Sequence, residues 1–177
     1  MSRPADPLPL ERARALPARY YAGEATLAQE QEAVFRRSWQ LVAHAGQLAE
    51  PGDHIVDHVA GVPVLVVRGQ DGVLRAFPNV CRHRAGPLAL CNGKGARALH
   101  CKYHGWTYTL EGQLRSAPEM QGAADFDVND IRLPPLRVHA WQGLVFVAVD
   151  EDVPPFDAVY GGISERIAPI DLATMRF

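Results

Sequence analysis

The chain is organised around two short stretches, Cys81-Arg82-His83 and Cys101-Lys102-Tyr103-His104. Seventeen residues separate the two stretches, and each stretch contributes one thiol and one imidazole. These ligands suit zinc or an iron–sulfur centre and serve hard, oxygen-seeking cations poorly. The two stretches therefore predict a single metal site with two cysteine and two histidine ligands.

The order of the ligands helps to separate the kinds of metal site. Zinc fingers usually take two like ligands from one loop, whereas each stretch here supplies one Cys and one His. A mixed pair is what a 2Fe–2S cluster of the Rieske type needs, because two thiolates hold one of its irons and two imidazoles hold the other. A cluster is the favoured interpretation, and a zinc site and ordinary core thiols are the alternatives. Glycines permit tight turns and close approach of the backbone, and they stand at positions 86, 93, 95 and 105.

The composition is that of an ordinary globular protein and argues against several other classes. Apolar residues make up 47% of the 177 positions, charged residues make up 21%, and the formal charge is -2. These values indicate neither nucleic acid nor a membrane as a partner, and the longest apolar runs are too short to span a bilayer. Residues 1–20 lack the apolar core of a signal peptide. Only Cys91 lies outside the two stretches, which argues against a disulfide framework and predicts a cytoplasmic protein.

Residues 1–38 are predicted to form an N-terminal arm and a helix. Prolines at positions 4, 7, 9 and 17 favour an extended arm over the first nineteen residues. The capping-box form Thr26-Leu27-Ala28-Gln29 predicts where the helix begins. Side chains then recur at helical spacing, at Leu27, Val34, Phe35 and Ser38. We expect this stripe to lie on a sheet.

Residues 39–150 change to short strands separated by turns, and this segment is the predicted cluster domain. Three pairs of strand-like runs flank short turns, residues 62–68 with 73–77, 106–110 with 113–115, and 136–141 with 144–149. The fold class is therefore mainly β, built from antiparallel sheets. Residues 119–135 are predicted to be a loop, and residues 150–155 are predicted to be a linker. Residues 151–177 are then either a C-terminal extension or the start of a missing catalytic domain.

Longer stretches around the two motifs resemble a known family. They are Asn79-Val80-Cys81-Arg82-His83-Arg84, residues 101–108, Gly112-x-Leu114, Ala117-Pro118, and the upstream runs 16–21 and 35–39. Together they resemble the N-terminal Rieske domain of the alpha subunits of Rieske non-haem iron oxygenases of the aromatic-ring-hydroxylating type. The resemblance implies a Rieske fold of stacked antiparallel sheets with two cluster-binding hairpin loops. It also implies that Cys81 and Cys101 bind the iron that stays ferric, and that His83 and His104 bind the iron that is reduced.

The resemblance implies a function in electron transfer. Electrons would pass from a flavin- or ferredoxin-type reductase through the 2Fe–2S cluster to a mononuclear non-haem iron that hydroxylates an organic substrate. That iron takes two histidines and a carboxylate, and after His104 this chain contains only His139. We therefore assign no catalytic residue and expect the mononuclear iron on a separate domain or subunit, with a homo-oligomer left open. A free-standing Rieske ferredoxin and a truncated metal-binding module remain as alternatives.

Residues around the motifs lead to further expectations. Trp106 stands where respiratory Rieske proteins carry a hydroxyl donor, which predicts a potential low in the Rieske span of roughly -150 to +300 mV. Trp106 is either plain core or a shield for the cluster, and Tyr108 is either a donor to a cysteine sulfur or an ordinary strand aromatic. Ala117-Pro118 is expected to cover the cluster from a third side. The family commonly reads C-x-H-R-G, whereas Ala85 precedes Gly86 here, so we expect the turn to be displaced by one residue.

The remaining histidines and acidic residues are predicted to be structural or solvent-exposed. His54 and His58, with their aspartate neighbours, lie in a strand-like run that would hold the two rings about 13 Å apart, too far to chelate one ion. The same interpretation applies to His44, His100 and His139. The acidic run 125–130 is expected to be a solvated loop.

Overall fold

The computed structural model describes residues 9–120, 122–168 and 170–175. In these ranges nine strands form three antiparallel sheets of three strands each, which confirms the predicted mainly β class. The first sheet has the order β1 (Gln40–His44), β9 (Leu144–Ala148), β8 (Arg137–Trp141). The second has the order β2 (His54–Val59), β3 (Val62–Arg68), β4 (Leu74–Pro78). The third has the order β5 (Leu99–His100), β6 (Thr107–Tyr108), β7 (Leu114–Ser116).

The three predicted hairpins are all present, as the pairs β3–β4, β6–β7 and β8–β9. Their turns contain residues with a positive φ, which reverse a chain without splaying the strands. Gly72 has φ 76° and Gly112 has φ 89°. In the last turn Gln142 and Gly143 both have positive φ, at 47° and 81°. The turn residues in the sequence therefore set which strands pair.

Strand β3 lies at the centre of the molecule, because both of its faces are buried. Val64 and Val66 point into a core shared with the first sheet. Leu65 and Val67 point into a second core, beneath the third sheet. This alternation follows from the two-residue period of a strand. The second sheet thus lies between the other two and supports the third sheet, next to the cluster motifs.

The N-terminal helix differs from its prediction. Two short helices, α1 (Arg19–Ala22) and α2 (Glu24–Glu30), are followed by a wider π-helical turn, Gln31–Phe35. The predicted start at Thr26 is wrong, because the extended residue Gly23 precedes α2 and its carbonyl accepts hydrogen bonds from the N–H groups of Thr26 and Leu27. The Thr26 hydroxyl instead donates to the Arg19 carbonyl at 3.1 Å.

The apolar stripe of this helix does not lie on a sheet, contrary to expectation. Leu27, Val34 and Phe35 are 51%, 53% and 37% exposed. In the arm before the helix, residues 9–18 are exposed and form a single short turn, Leu10–Arg12. The first eight residues of the predicted arm lie outside the described residues.

Residues 150–155, predicted to be a linker, instead pack against the first sheet. Val153 and Phe156 are buried and share a small core with Trp39. The Trp39 indole nitrogen donates to the Pro154 carbonyl at 2.9 Å. Two short helices follow, α3 (Phe156–Tyr160) and α4 (Ile163–Arg166). Throughout the part of the chain that the structure describes, every helix is too short or too polar to cross a membrane.

Candidate metal centre

The first cluster motif lies in a tight loop, residues 81–86, which we call the first loop. It follows β4 and is closed by two backbone hydrogen bonds. The Cys81 N–H donates to the Gly86 carbonyl at 2.8 Å, and the Ala85 N–H donates to the Cys81 carbonyl at 3.0 Å. Ala85 itself has φ 56°, so it occupies the left-handed position of the turn. The expectation that the turn is displaced to Gly86 is therefore wrong.

The second motif lies in residues 101–106, which we call the second loop, at the end of the hairpin β5–β6. The same two hydrogen bonds close it. The Cys101 N–H donates to the Trp106 carbonyl at 2.9 Å, and the Gly105 N–H donates to the Cys101 carbonyl at 3.0 Å. Gly105 takes the left-handed position with φ 77°. The two loops thus share one backbone design.

The structure brings the four predicted ligands together as two pairs. Cys81 and Cys101 are both buried, and their thiols are close enough to interact. The ring centroids of His83 and His104 are 4.6 Å apart. Among the described residues no three Cys, His, Asp or Glu side chains gather around one point. A thiol pair beside an imidazole pair is the donor arrangement that a Rieske cluster requires, since each iron takes two protein ligands.

The polar atoms of this site also fit a bound metal group. The Nδ1 atom of His83 is buried and has no hydrogen-bond partner, which is rare for a buried polar atom. Burial lowers the pKa of His83, and the neighbouring His104 and Arg84 lower it further. The imidazole therefore favours its neutral form, the form that binds metals. Burial raises the pKa of the Cys81 thiol, and the hydrogen bond from Tyr108 acts in the opposite direction.

Tyr108 contacts a cysteine sulfur and is also a buried strand residue. Its hydroxyl oxygen lies 3.3 Å from Cys81 Sγ and accepts a hydrogen bond from the Arg82 N–H at 3.1 Å. Because the oxygen already accepts from Arg82, its own proton is available to the sulfur. Of the two interpretations of Tyr108, the structure thus favours the sulfur donor.

Trp106 and Pro118 cover the two loops. The Trp106 ring stacks on His83, with centroids 4.9 Å apart and an interplanar angle of 8°. Trp106 is 4% exposed and belongs to the core beneath the third sheet, so it is both core and cover. A Cβ atom on Gly105 would lie 3.2 Å from Pro118 Cγ. Pro118 therefore lies against the second loop, as the resemblance implied.

Two polar residues that the sequence did not single out hold the connection between the loops. The Asn79 side chain accepts hydrogen bonds from the N–H groups of Leu88 and Ala89, both at 3.0 Å. Asp53 is the buried charged residue of the described chain, and it accepts from the Lys94 ammonium at 2.9 Å and the Gly95 N–H at 3.2 Å. The signal for Asn79 was a polar residue after an apolar strand, just before the first loop. No sequence signal separates Asp53 from other turn aspartates.

The other histidines either make contacts within the fold or face solvent. In the β2–β3 pair His54 lies opposite Val67 and His58 lies opposite Pro63, and His58 is exposed. Elsewhere, His44 accepts from the Gly46 N–H, the His100 ring contacts the Thr107 hydroxyl, and His139 stacks on Phe156.

Known sequences match the part of the chain that contains both loops. A family model described as Rieske [2Fe-2S] domain matches residues 38–134. The carnitine monooxygenase oxygenase subunit of Acinetobacter baumannii is 36% identical over 148 residues, which are 84% of this chain and 40% of that protein. The biphenyl 2,3-dioxygenase subunit alpha of Rhodococcus jostii is 38% identical over 152 residues, which are 85% of this chain and 33% of that protein.

Solved structures resemble the chain as well. The quaternary ammonium Rieske monooxygenase CntA in complex with L-carnitine gives a TM-score of 0.78 at 37% identity, covering 86% of this chain and 44% of that one. Naphthalene 1,2-dioxygenase with indole bound gives a TM-score of 0.74 at 30% identity, covering 83% of this chain and 34% of that one. The chain therefore spans less than half the length of the relatives it matches.

Proposed function

Because the chain belongs to the Rieske [2Fe-2S] domain family, we propose that it carries single electrons through a Rieske 2Fe–2S cluster toward an oxygenase iron. In this proposal Cys81 and Cys101 hold one iron of the cluster, and His83 and His104 hold the other. The observation that supports the assignment most directly is the pairing of two buried thiols with two adjacent imidazoles on loops of the same backbone design.

The surrounding residues have defined tasks in this proposal. When bound, the cluster accepts and releases one electron at a time. The Tyr108 hydroxyl holds the Cys81 sulfur and the Arg82 N–H in place. The Trp106 ring fixes the plane of His83 and excludes water from one of its faces. Both histidine rings remain half-buried, so an electron partner can approach them from solvent.

The relatives support a proposal about the partners. We propose that the chain is the Rieske part of an oxygenase alpha subunit, which receives electrons from a flavin- or ferredoxin-type reductase. The electrons would leave for a mononuclear iron centre on another domain or subunit, where an organic substrate is hydroxylated. A homo-oligomer is compatible with this arrangement. We place the protein in a reducing cytoplasm, in keeping with its three cysteines outside any disulfide.

The first experiment tests the cluster and its ligands. Iron and acid-labile sulfide analysis, with an EPR spectrum of the reduced protein, should show a 2Fe–2S cluster with the low average g of mixed Cys and His ligation. Cys81→Ser and His104→Ala should lose iron and sulfide. Their matched controls, Cys91→Ser and His100→Ala, should retain both, because these side chains are exposed and not among the predicted ligands. Bound zinc, or equal loss in the controls, would contradict the assignment.

A second experiment tests where the electrons go. The chain is combined with a reductase and with a polypeptide that carries a two-histidine, one-carboxylate iron site, and hydroxylation is measured. We expect product only when all three components are present. Electron uptake from the reductase without any transfer to such an iron site would instead identify a free-standing carrier.

A further inference from the structure

Asn79 joins the two ends of the segment that contains the first loop. It follows β4 and precedes Cys81 by two residues. Its side-chain oxygen accepts hydrogen bonds from the N–H groups of Leu88 and Ala89, both at 3.0 Å. Its side-chain nitrogen donates to the Ala89 carbonyl at 2.8 Å. Because two N–H donors meet one side-chain atom, that atom is the amide oxygen, so all three bonds use a single orientation of the amide. One side chain thus closes residues 79–89 into a ring.

This ring is fixed at both of its ends. The Asn79 N–H donates to the carbonyl of Pro63, a residue of the central strand β3, at 2.8 Å. Leu88 is 5% exposed and packs in the same core as Cys81 and Cys101. The Asn79 side chain therefore connects backbone that the sheet holds to a side chain that the core holds, and the first loop lies between these two points.

Gly86 lies inside the ring and against the second thiol. A Cβ atom at Gly86 would come within 3.1 Å of Cys101 Sγ, so the backbone has little room to move toward the second loop. The Gly86 carbonyl also accepts the Cys81 N–H at 2.8 Å. A shift of residues 87–89 would move Gly86, and it would then change the distance between Cys81 and Cys101. One iron of a Rieske cluster needs both thiolates at once.

We propose that Asn79 is a positioning residue, which sets the separation of Cys81 and Cys101 and so keeps the two thiols in place for one iron. This role rests on the proposed electron-transfer function and deepens it, because it names a residue that acts on the cluster through the first loop. Without the amide, the N–H groups of Leu88 and Ala89 lose their acceptor, which is costly for backbone groups beside a core. The segment then relaxes toward other partners, and Gly86 moves with it.

The first test measures how fast the cluster is lost. The wild type and Asn79→Ala are mixed with EDTA, and the visible absorbance of the cluster is followed with time. Asn79→Ala should lose its cluster about tenfold faster or more, because three hydrogen bonds that hold the exit of the first loop are removed. The EPR spectrum of the reduced variant should also differ from that of the wild type, since the geometry at the thiolate-bound iron changes.

The matched control is Gln113→Ala, which removes an amide with the same number of bonds to a different loop. The Gln113 side-chain nitrogen donates to the carbonyls of Val128, Asn129 and Ile131 at 2.9, 3.1 and 3.1 Å. This control should lose unfolding free energy comparable to that of Asn79→Ala, as measured by urea unfolding. It should nevertheless keep the wild-type EPR spectrum and about the wild-type rate of cluster loss.

Hydrogen exchange followed by mass spectrometry provides a second readout, which needs no cluster. Peptides that cover residues 81–89 should exchange about tenfold faster in Asn79→Ala than in the wild type. The same peptides should exchange at the wild-type rate in Gln113→Ala, whose effect should be confined to peptides that cover residues 128–131.

A conservative variant keeps the test decisive if Asn79→Ala does not fold. Asn79→Asp keeps an acceptor oxygen for the N–H groups of Leu88 and Ala89 and loses the bond to the Ala89 carbonyl. It should lose its cluster more slowly than Asn79→Ala and faster than Gln113→Ala.

Equal rates of cluster loss for Asn79→Ala and the wild type would overturn the role of Asn79. So would an equal acceleration in Gln113→Ala, which would reduce the effect to general stability, or Asn79→Asp no slower than Asn79→Ala or no faster than Gln113→Ala. Wild-type protein without iron and sulfide would overturn the proposed function instead, while hydrogen exchange would still decide whether Asn79 holds the first loop.

Discussion

The first and second loops have the same backbone hydrogen bonds and different side-chain chemistry. In each loop the cysteine N–H is bonded to the carbonyl five residues later, and the N–H four residues later is bonded to the cysteine carbonyl. The residue at the fifth position after the cysteine then differs in size. It is Gly86 in the first loop and Trp106 in the second. The two loops thus share one backbone conformation, and the residue at this position determines how each loop contacts the other.

Gly86 and Trp106 each affect a residue of the opposite loop. A Cβ on Gly86 would come within 3.1 Å of Cys101 Sγ, so a small residue is needed for the first loop to approach the second thiol. Trp106 reaches the opposite way and stacks on His83. Each loop therefore completes the environment of a predicted ligand on the other loop. Neither loop therefore forms a complete site alone.

The loops also differ in how they meet solvent. His83 follows its cysteine by two residues, whereas His104 follows its cysteine by three, and the additional residue is Tyr103. Tyr103 is largely exposed, whereas the first loop is held from below by the buried Tyr108 hydroxyl. The first loop is therefore the anchored one, whereas the second loop places Tyr103 toward solvent.

Removing the Trp106 side chain should have the largest effect on the contacts between the two loops. Trp106→Ala leaves a cavity in the core beneath the third sheet and frees one face of His83. We expect the free energy of unfolding to fall by about 3–5 kcal/mol. Urea unfolding followed by circular dichroism measures the loss.

A conservative variant separates the loss of packing volume at position 106 from the loss of the ring that stacks on His83. Trp106→Phe keeps an aromatic ring against His83 and should lose less stability than Trp106→Ala, with a near-normal EPR spectrum of the reduced cluster. An alanine variant as stable as the phenylalanine variant would show that the stacked ring does not support the loops.

Asp53→Asn should destabilise residues 87–100, which connect the first loop to the second. The carboxylate of Asp53 is buried and bonded to Lys94 and Gly95 in that connection. The variant loses a charge-assisted hydrogen bond and leaves donors poorly satisfied, so we expect a loss of about 2 kcal/mol in unfolding free energy at pH 7. Urea midpoints of the two proteins measure the difference.

The pH dependence of that difference has a defined sign. Burial alone would raise the pKa of Asp53, but hydrogen bonds from Glu50, Lys94 and Gly95 outweigh it and lower the pKa below its ordinary value of 3.8. The stabilisation is therefore fully present above about pH 4 and is lost as the pH falls through the lowered pKa. Wild type and Asp53→Asn should converge in urea midpoint below about pH 3.8 and stay apart above it. A constant gap across this range would exclude the carboxylate as its cause.

Tyr108→Phe should weaken the anchored loop without changing the second. The variant removes a buried hydroxyl that bonds Cys81 Sγ and the Arg82 N–H. We expect a loss of about 1–2 kcal/mol in unfolding free energy. The reduction potential should also fall by roughly 40 mV, the equivalent of about 1 kcal/mol, because the more negative reduced cluster loses a donor. Potentiometric titration measures the fall, and Tyr103→Phe, which removes an exposed hydroxyl, serves as the control with no expected shift.

The sequence predicted most of the fold because its signals were local. Turn residues such as Gly72, Gly112 and Gly143 specify which strands pair, and each predicted hairpin is present. The four predicted ligands follow equally from local motifs, and the structure places them as a thiol pair and an imidazole pair. Local spacing also predicted that His54 and His58 lie on one strand, and both belong to β2.

Two of the errors and omissions share one physical cause, which is that distant residues decide the outcome. Asp53 looks like any turn aspartate until Lys94, 41 positions away, packs beside it. Val153 looks like part of a polar linker, but Trp39 provides a surface that buries it. At Ala85 the cause of the error was local. The sequence favoured Gly86 for the left-handed position, but the closing hydrogen bonds place that conformation on the residue four after Cys81, whatever its type.

Exchanging the residues at the left-handed position tests how far the two backbones are equivalent. Ala85 has φ 56° and Gly105 has φ 77°, and a Cβ atom makes this conformation costly. Ala85→Gly should therefore raise the unfolding free energy by about 1 kcal/mol. Gly105→Ala should lower it by at least as much, since its new Cβ would also lie 3.2 Å from Pro118 Cγ. Urea unfolding of the two variants and the double exchange measures these effects. A stabilised Gly105→Ala would mean that the second loop can leave the shared backbone while the first cannot.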